Sequence, residues 1–440
     1  MAGGTFIAQN KIRPGAYINF QSVPRPMMTA GDRGIGVLTM PLSWGSQTGL
    51  ISVLSEDLLT GRSLSAIGFT AFDPESKLLA GMLNYCYMAK VFRADTGGVA
   101  ATATVGGLTA TARYPGAFGN NITVAVRADG ALFIVETYVK GAIVDSQTVA
   151  EASEVDGNDY VTFAGTGALS VSAGMPLTGG TNGTVEEETA YTNLLSKLTT
   201  ERYQTLAVTT DMAAIKANVA TFIKKQRDDE GRYVQAVVAN YDAADNEGVI
   251  NNVNGAVING VEFTPEEFTV VAAGMTAGAR IIDSNTGRVV DGASQIIGEL
   301  DNTGIIAALQ AGKFVLSPNQ SGAIKVEQDI NSLHTFIPEK NKMFSKNRII
   351  RTLDEIGISV RDTWESAFMG KVNNDDAGRA IFKSSLLVYM GSLQEMGAIT
   401  NFEGSADIEV LAGNDVDAVV CNIAVQPVDS MEKLYMTVRI

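Results

Sequence analysis

The residues able to do chemistry in this chain are few and scattered. His334 is the single histidine, set in "NSLHTFIP", and any Ser-His-Asp or Cys-His relay has to run through it. No G-x-S-x-G elbow lies where a strand meets a helix, so His334 is expected to be structural. Cys86 and Cys421 are the two cysteines. They lie far apart in apolar surroundings, which argues against a disulfide framework or a zinc centre and fits a reducing compartment. The glycine-rich "MPLTGGTNGT" (175–184) lacks the Lys-Ser/Thr of a P-loop and the order of a dinucleotide fingerprint, so it reads as a plain joint. "DDAGR" (375–379) and "GNDVDAV" (413–419) bring carboxylates close together without the spacing of an EF-hand, and no pair is singled out for hydrolysis. The basic cluster "PEKNKMFSKNRIIR" (338–351) carries Lys340, Lys342, Lys346, Arg348 and Arg351. With few aromatics interleaved, it suits a salt-bridge surface between proteins better than a nucleic-acid groove. No catalytic set, cofactor site or metal site emerges.

Composition narrows the class further. A length of 440 residues suggests about two to four domains. An apolar fraction of 45% with 18% charged residues is that of a globular protein. The net charge of −15 repels bare nucleic acid and anionic membrane. Lys11, Arg13, Arg25 and Arg33 face only Asp32 near the start, whereas Glu403, Asp407, Glu409, Asp415, Asp417 and Asp429 dominate the end. Such runs are either solvated surface or a basic head and acidic tail that meet in an assembly. Neither a signal-peptide core nor a membrane-length apolar run is present, so the expectation is a soluble protein without membrane insertion.

The elements that would carry any site fall into five stretches. Residues 1–25 read as an extended arm, with a strand near Tyr17, Ile18 and Phe20 between prolines. An α/β segment (26–94) includes "DPESKLLAGMLNYC", where Asp73 suits an N-cap and Pro74 the first helical position. Residues 95–178 alternate with period two and are punctuated by glycine, as in a β-sandwich. Residues 185–335 alternate helix and buried strand, implying a mostly parallel sheet, with a capping box from Thr264 to Glu267. Residues 336–440 hold two long helices and end in strands. Ile349, Leu353, Ile356, Val360, Trp364 and Phe368 share one helical face, and "DAVVCNIAVQPVD" and "EKLYMTVRI" alternate like edge strands.

Several stretches together resemble contractile tail sheath proteins of phages, defective prophages and phage-tail-like bacteriocins of Gram-positive bacteria. The residues that carry the likeness are "QNKIRPGAYINF", "ARYPGAFGNNITV", "LTGGTNG" and "NRIIRTLDEIGISV…GKVNNDDAGRAIFKSSLLVYMGSLQEMGAITNF". The resemblance implies an α+β multidomain fold: a subtilisin-like α/β sheet domain without a working triad, an inserted β-sandwich, and a C-terminal α+β domain with exchanged terminal strands. It implies a structural subunit, with no enzyme activity and no cofactor, that polymerises helically around a tail tube and contracts to drive the tube through a target envelope. The implied partners are identical subunits in stacked hexameric rings, the tail tube protein, and baseplate and tail terminator proteins, without direct nucleic-acid contact. The implied location is a virion tail or tail-like particle assembled in the host bacterial cytoplasm. Other readings are a sheath from another contractile injection or secretion system, or a hydrolase on the subtilisin-like layer.

Strand addition joins bodies while letting them rotate, and a head-to-tail contact propagates without closing. Tyr17, Ile18 and Phe20, then Cys421, Ile423 and Val425, then Leu434, Met436 and Val438 are therefore the expected inter-subunit strand residues. Lys371, Asp375, Asp376 and Arg379 are the expected tube-facing charges.

Overall fold

The computed structural model describes residues 33–439 and, ahead of them, two short strands, Ala2–Gly4 and Gly15–Tyr17, paired in parallel. The chain divides into two units. The larger comprises residues 31–357 with 427–440, the smaller residues 1–30 with 358–426.

The larger unit is built on one seven-stranded sheet. Its order is Lys313–Phe314, Val249–Asn252, Gln235–Ala239, Thr205–Ala207, Ile35–Met40, Met88–Arg93, Leu50–Leu54. All neighbours run parallel except the last, which is antiparallel to Met88–Arg93. Strands from 35–93 and from 205–314 thus share a sheet, although the whole β-sandwich region lies between them in sequence. Because side chains alternate across a strand, the sheet faces two cores. Leu38, Val91, Val237 and Ile250 pack with Met82, Phe268 and Val271 on one side. Val37, Leu206, Ala236 and Val238 pack with Tyr191, Leu194, Ile215 and Val219 on the other.

The Pro265–Gly278 helix is buried from Phe268 to Ala277. Its start is the expected capping box: Thr264 Oγ1 accepts from the Glu267 N–H (3.2 Å), and Glu267 Oε2 accepts from the Thr264 N–H (3.0 Å). Its end needs glycine, because a Cβ on Gly278 would stand 1.8 Å from the Tyr85 carbonyl oxygen. Asp73 and Pro74 stand at the expected N-cap and first-turn positions, but the Asp73 side chain makes no cap bond. Pro74–Ser76 is a 3-10 turn ahead of the Lys77–Leu83 helix, and Asp73 Oδ2 accepts instead from the Thr70 N–H (2.8 Å) and hydroxyl (3.0 Å).

Between the two halves of the sheet lies a β-sandwich, as expected. One layer has four strands and the other three (Thr102–Val105, Leu108–Ala112 and Val161–Ala164). Its core includes Val105, Leu108, Ile122, Val124 and Val135, and also Trp44 from the sheet domain.

In the smaller unit the Asp376–Glu395 helix packs on the Ile408–Ala412/Val419–Ile423 hairpin through a core of Phe382, Leu386, Tyr389, Leu393 and Ile408. Trp364, Phe368 and Phe382 form an aromatic cluster with centroids 5.0–6.1 Å apart.

The Asn347–Thr363 helix exists and continues through a π-helical turn, Trp364–Phe368. Of its apolar stripe, Ile349 and Phe368 are buried and Leu353, Ile356, Val360 and Trp364 half-buried, and its other face is buried as well at Arg351, Thr352, Asp354 and Glu355. The charges tolerate burial because they are paired. Arg227 holds Asp354 with two bonds (2.7 and 2.9 Å), and Arg351 meets Asp329 (2.8 Å) and the Asp283 carbonyl (2.7 Å). Within the single chain "EKLYMTVRI" forms no strand: residues 428–439 carry no regular secondary structure. A strand needs a neighbour to bond to, and the arm has none within its own chain among the described residues.

Candidate functional site

The region of interest is the C-terminal end, because the chain there leaves its own fold. The hairpin pairs Val410 with Cys421 and Ile408 with Ile423. Its turn is closed by Gly413 N–H to the Ala418 carbonyl (2.8 Å). Asn374 Nδ2 also grips that turn, donating to the Val416 (2.8 Å) and Ala418 (2.9 Å) carbonyls. The strand is shorter than expected and ends at Ile423, leaving Val425 outside it. Cys421, Ile423 and Val425 are half-buried while Val420, Asn422 and Ala424 are exposed, so the alternation itself holds. Each strand of this two-stranded sheet has one neighbour.

Residues 427–440 belong to the larger unit. Glu432 is fastened there: Thr286 Oγ1 donates to Oε1 (2.8 Å), Gln328 Nε2 to Oε2 (2.6 Å), and the Lys346 ammonium bonds Oε2. Burial alone would raise its pKa, but these three donors hold the carboxyl below the usual range. Beyond it every described residue is exposed, with Leu434, Met436 and Val438 at 85%, 74% and 70%. These are the expected exchange residues, and they form an apolar arm without cover. At the other terminus, Tyr17 closes the Gly15–Tyr17 strand, which pairs with Ala2–Gly4. Ile18 and Phe20 lie outside the described residues.

The four expected tube-facing charges do not form one free patch. Asp375 caps the Asp376–Glu395 helix, its Oδ1 accepting from the Gly378 N–H (2.8 Å). Arg379 bonds Asn374 Oδ1 (2.8 Å) and Asp376. Lys371 donates to the Ser366 carbonyl. Asp376 is the most open of the four. "DDAGR" is therefore a helix start and "GNDVDAV" a hairpin turn, and among the described residues no group of three or more His, Cys, Asp or Glu is placed to hold a metal.

The other sequence candidates resolve similarly. His334 Nδ1 lies 2.9 Å from the Ser332 carbonyl and 3.4 Å from Asp245 Oδ1, and the Ser332 hydroxyl is turned to the Asn246 carbonyl (3.0 Å). Burial pushes the Cys86 thiol up to about 12, leaving it protonated and inert. Three of the five basic residues in the 338–351 cluster are paired within the chain: Lys340 with Glu247, Lys346 with Glu432, and Arg351 with Asp329. Opposite charges reached from distant segments, so no open basic face results from those three.

The glycine joint is more than a plain linker. Gly180 and Asn120 exchange two hydrogen bonds (2.8 and 2.9 Å), and Asn182 Oδ1 accepts from the Ala117 N–H (2.8 Å). "LTGGTNG" and "ARYPGAFGNNITV" therefore touch. A Cβ on Gly183 would meet the Thr96 carbonyl oxygen at 2.1 Å, so glycine permits the neck, formed by the strands Asp95–Thr96 and Thr184–Val185, to close.

Sequence reasoning missed three elements. Arg93 and Asp95 form a buried pair (2.7 Å) that also binds the Gly45 and Pro115 carbonyls and the Leu42 N–H, each at 2.9 Å. Trp44 packs on Tyr114 and Phe118, both at 5.1 Å, and bonds the Ser65 carbonyl (2.8 Å). Glu432 is the third. The only signal was "FRAD" at a strand end, and spacing alone does not show burial.

Models of phage tail sheath domains match in three consecutive blocks. The beta-sandwich domain covers residues 96–182, the central domain 185–332 and the C-terminal domain 339–440. The chain is 39% identical to the sheath tail protein of Desulfitobacterium hafniense, whose solved structure superposes with a TM-score of 0.81 over 97% of this chain and 100% of that one. It is 34% identical to the phage-like element PBSX protein XkdK of Bacillus subtilis (strain 168), over 100% of both chains. At 10% identity, the helical sheath of the anti-feeding prophage in its contracted state shares the fold alone, with a TM-score of 0.60 over 98% of this chain and 99% of that one. With its sandwich, central and C-terminal blocks matched in order and relatives aligned along its whole length, the chain belongs to the phage tail sheath family.

Proposed function

We propose that this protein is the structural subunit of a contractile tail sheath, polymerising helically around an inner tube and contracting to drive that tube through a target envelope. The observation that carries the reading is the uncovered arm. Residues 433–439 expose Leu434, Tyr435, Met436 and Val438, while among the described residues the Ile408–Ala412/Val419–Ile423 hairpin has two strands. An apolar β-prone segment and a sheet with open edges are the two halves of a strand-addition contact. Between copies the contact runs head to tail and builds a helix. The arm at Tyr17, Ile18 and Phe20 is assigned the same role.

The three-layer sheet domain is read as the subtilisin-like layer, used as a rigid body. The sandwich, bolted on through Trp44 and Arg93–Asp95, is read as an outer decoration. Asp376 and Lys371 are the better candidates for tube contact, since Asp375 and Arg379 are committed to the helix start. The work is mechanical: surface newly buried between copies in the compact lattice supplies the free energy, and no nucleotide or cofactor is required. Tail tube, baseplate and terminator proteins are the assigned partners, in a virion tail or tail-like particle assembled in the bacterial cytoplasm.

Truncation after Asp429 tests this. The shortened chain is expected to stay folded and to form no regular tubes in negative-stain microscopy. Regular tubes from that chain overturn the strand-exchange reading.

A further inference from the structure

Glu432 stands where the C-terminal arm departs from the larger unit. Its side chain is 10% exposed and that of its partner Lys346 is 14% exposed. The donors come from three separate segments, at Thr286, Gln328 and Lys346. Asp429 lies 3.9 Å from the same ammonium. The anchor continues inward, since Thr286 Oγ1 accepts from the Asp329 N–H (2.9 Å), and Asp329 is held by Arg351, Asn347 Nδ2 (2.9 Å) and the Asn285 N–H (2.9 Å). One residue past Glu432 the chain is open to solvent. Burying a carboxylate is costly unless its partners are well placed, and a loose tail has no need of one.

We propose that Glu432 is the root anchor of the C-terminal arm, a positioning residue that pins 428–432 to the α/β body so that only 433–439 are free to reach an adjacent copy. The inference rests on the strand-exchange reading and adds how the arm is aimed. Without the anchor the free tether grows from seven described residues (433–439) to twelve (428–439), which dilutes its end about twofold by loop-closure statistics. Loss of direction adds to that.

The test uses the full-length chain in wild-type form and with Glu432→Ala, Thr286→Val, and the charge swap Glu432→Lys with Lys346→Glu, alongside the truncation after Asp429. Backbone 15N relaxation of monomers reads the anchor, and the lowest concentration giving sedimentable tubes reads its consequence. Glu432→Ala is expected to gain fast backbone motion at 428–432 and to raise that concentration about twofold or more, with thermal unfolding of the body unchanged. Thr286→Val gives a smaller shift in the same direction, and the charge swap recovers part of the loss. If 428–432 stay as rigid as wild type in Glu432→Ala and Thr286→Val, there is no anchor. If both variants form tubes at the wild-type concentration while the truncated chain forms none, strand exchange stands and the anchor falls. If the truncated chain forms tubes normally, both fall.

Discussion

Three stretches of this chain carry nearly the same kind of sequence and end in different states. Gln235–Ala239 is buried at all five positions between two parallel neighbours. Val419–Ile423 alternates half-buried and exposed against one neighbour. Residues 433–439, equally rich in β-formers, are exposed throughout without regular structure. The number of strands the chain itself supplies on either side separates them. Backbone N–H and C=O groups need partners once buried, so an apolar strand without neighbours stays in water until a partner arrives. Closed sheet makes a body, and unfinished sheet suits the connector role proposed for the arm.

Hydrogen exchange gives the largest contrast. In the monomer, amides of 235–239 are expected to exchange only through global unfolding, slower by about four or more orders of magnitude than those of 433–439, which exchange near intrinsic rates. In assembled sheath the arm amides are expected to slow by at least about tenfold. Unchanged arm exchange in tubes would remove the connector role.

Arg351→Ala comes next. It leaves Asp329 buried and unpaired, and is expected to cost about 3–5 kcal/mol in denaturant unfolding of the monomer. The pH dependence of the same carboxylate has a definite sign. Burial alone would raise the Asp329 pKa, but Arg351 and the Asn285 and Asn347 donors hold it below the usual value. Its contribution is therefore full above the unfolded value of about 3.9 and is lost as pH falls through the lower folded pKa. Acid titration of wild type against Asp329→Asn by circular dichroism checks this, and a variant with an unaltered acid limb contradicts it.

A smaller pair sharpens the contrast at one residue type. Val237→Ala, in the closed sheet, is expected to cost about 2–3 kcal/mol, whereas Val438→Ala, in the arm, is expected to stay within about 0.5 kcal/mol in the monomer. Equal losses would mean that the arm is part of the folded body. Thr264→Ala is expected to cost about 1 kcal/mol from the broken capping box, and calorimetry should place it between Val438→Ala and Val237→Ala.

Much of the scaffold was legible in the residues. The capping box at Thr264 and Glu267, the buried strands of the 185–335 region and the period-two sandwich announce themselves, because local spacing sets which face can be apolar. At Asp73 the position was legible but the bond was not, since a carboxylate next to proline can serve the turn before it as readily as the helix after it. The Asn347–Thr363 helix is plain in its apolar stripe, but the burial of its charged face is not, because Arg227 and Asp329, which neutralise that face, are remote in sequence.

The sequence by itself determined the elements, their order, the sandwich insertion and the scarcity of catalytic residues, because these follow from local patterning and from residue types. Only the tertiary structure decided which charges are paired inside, that the glycine joint is a locked neck, and that Glu432 fastens the root of an exposed arm. Those outcomes depend on meetings between segments far apart along the chain, and no local spacing encodes such meetings.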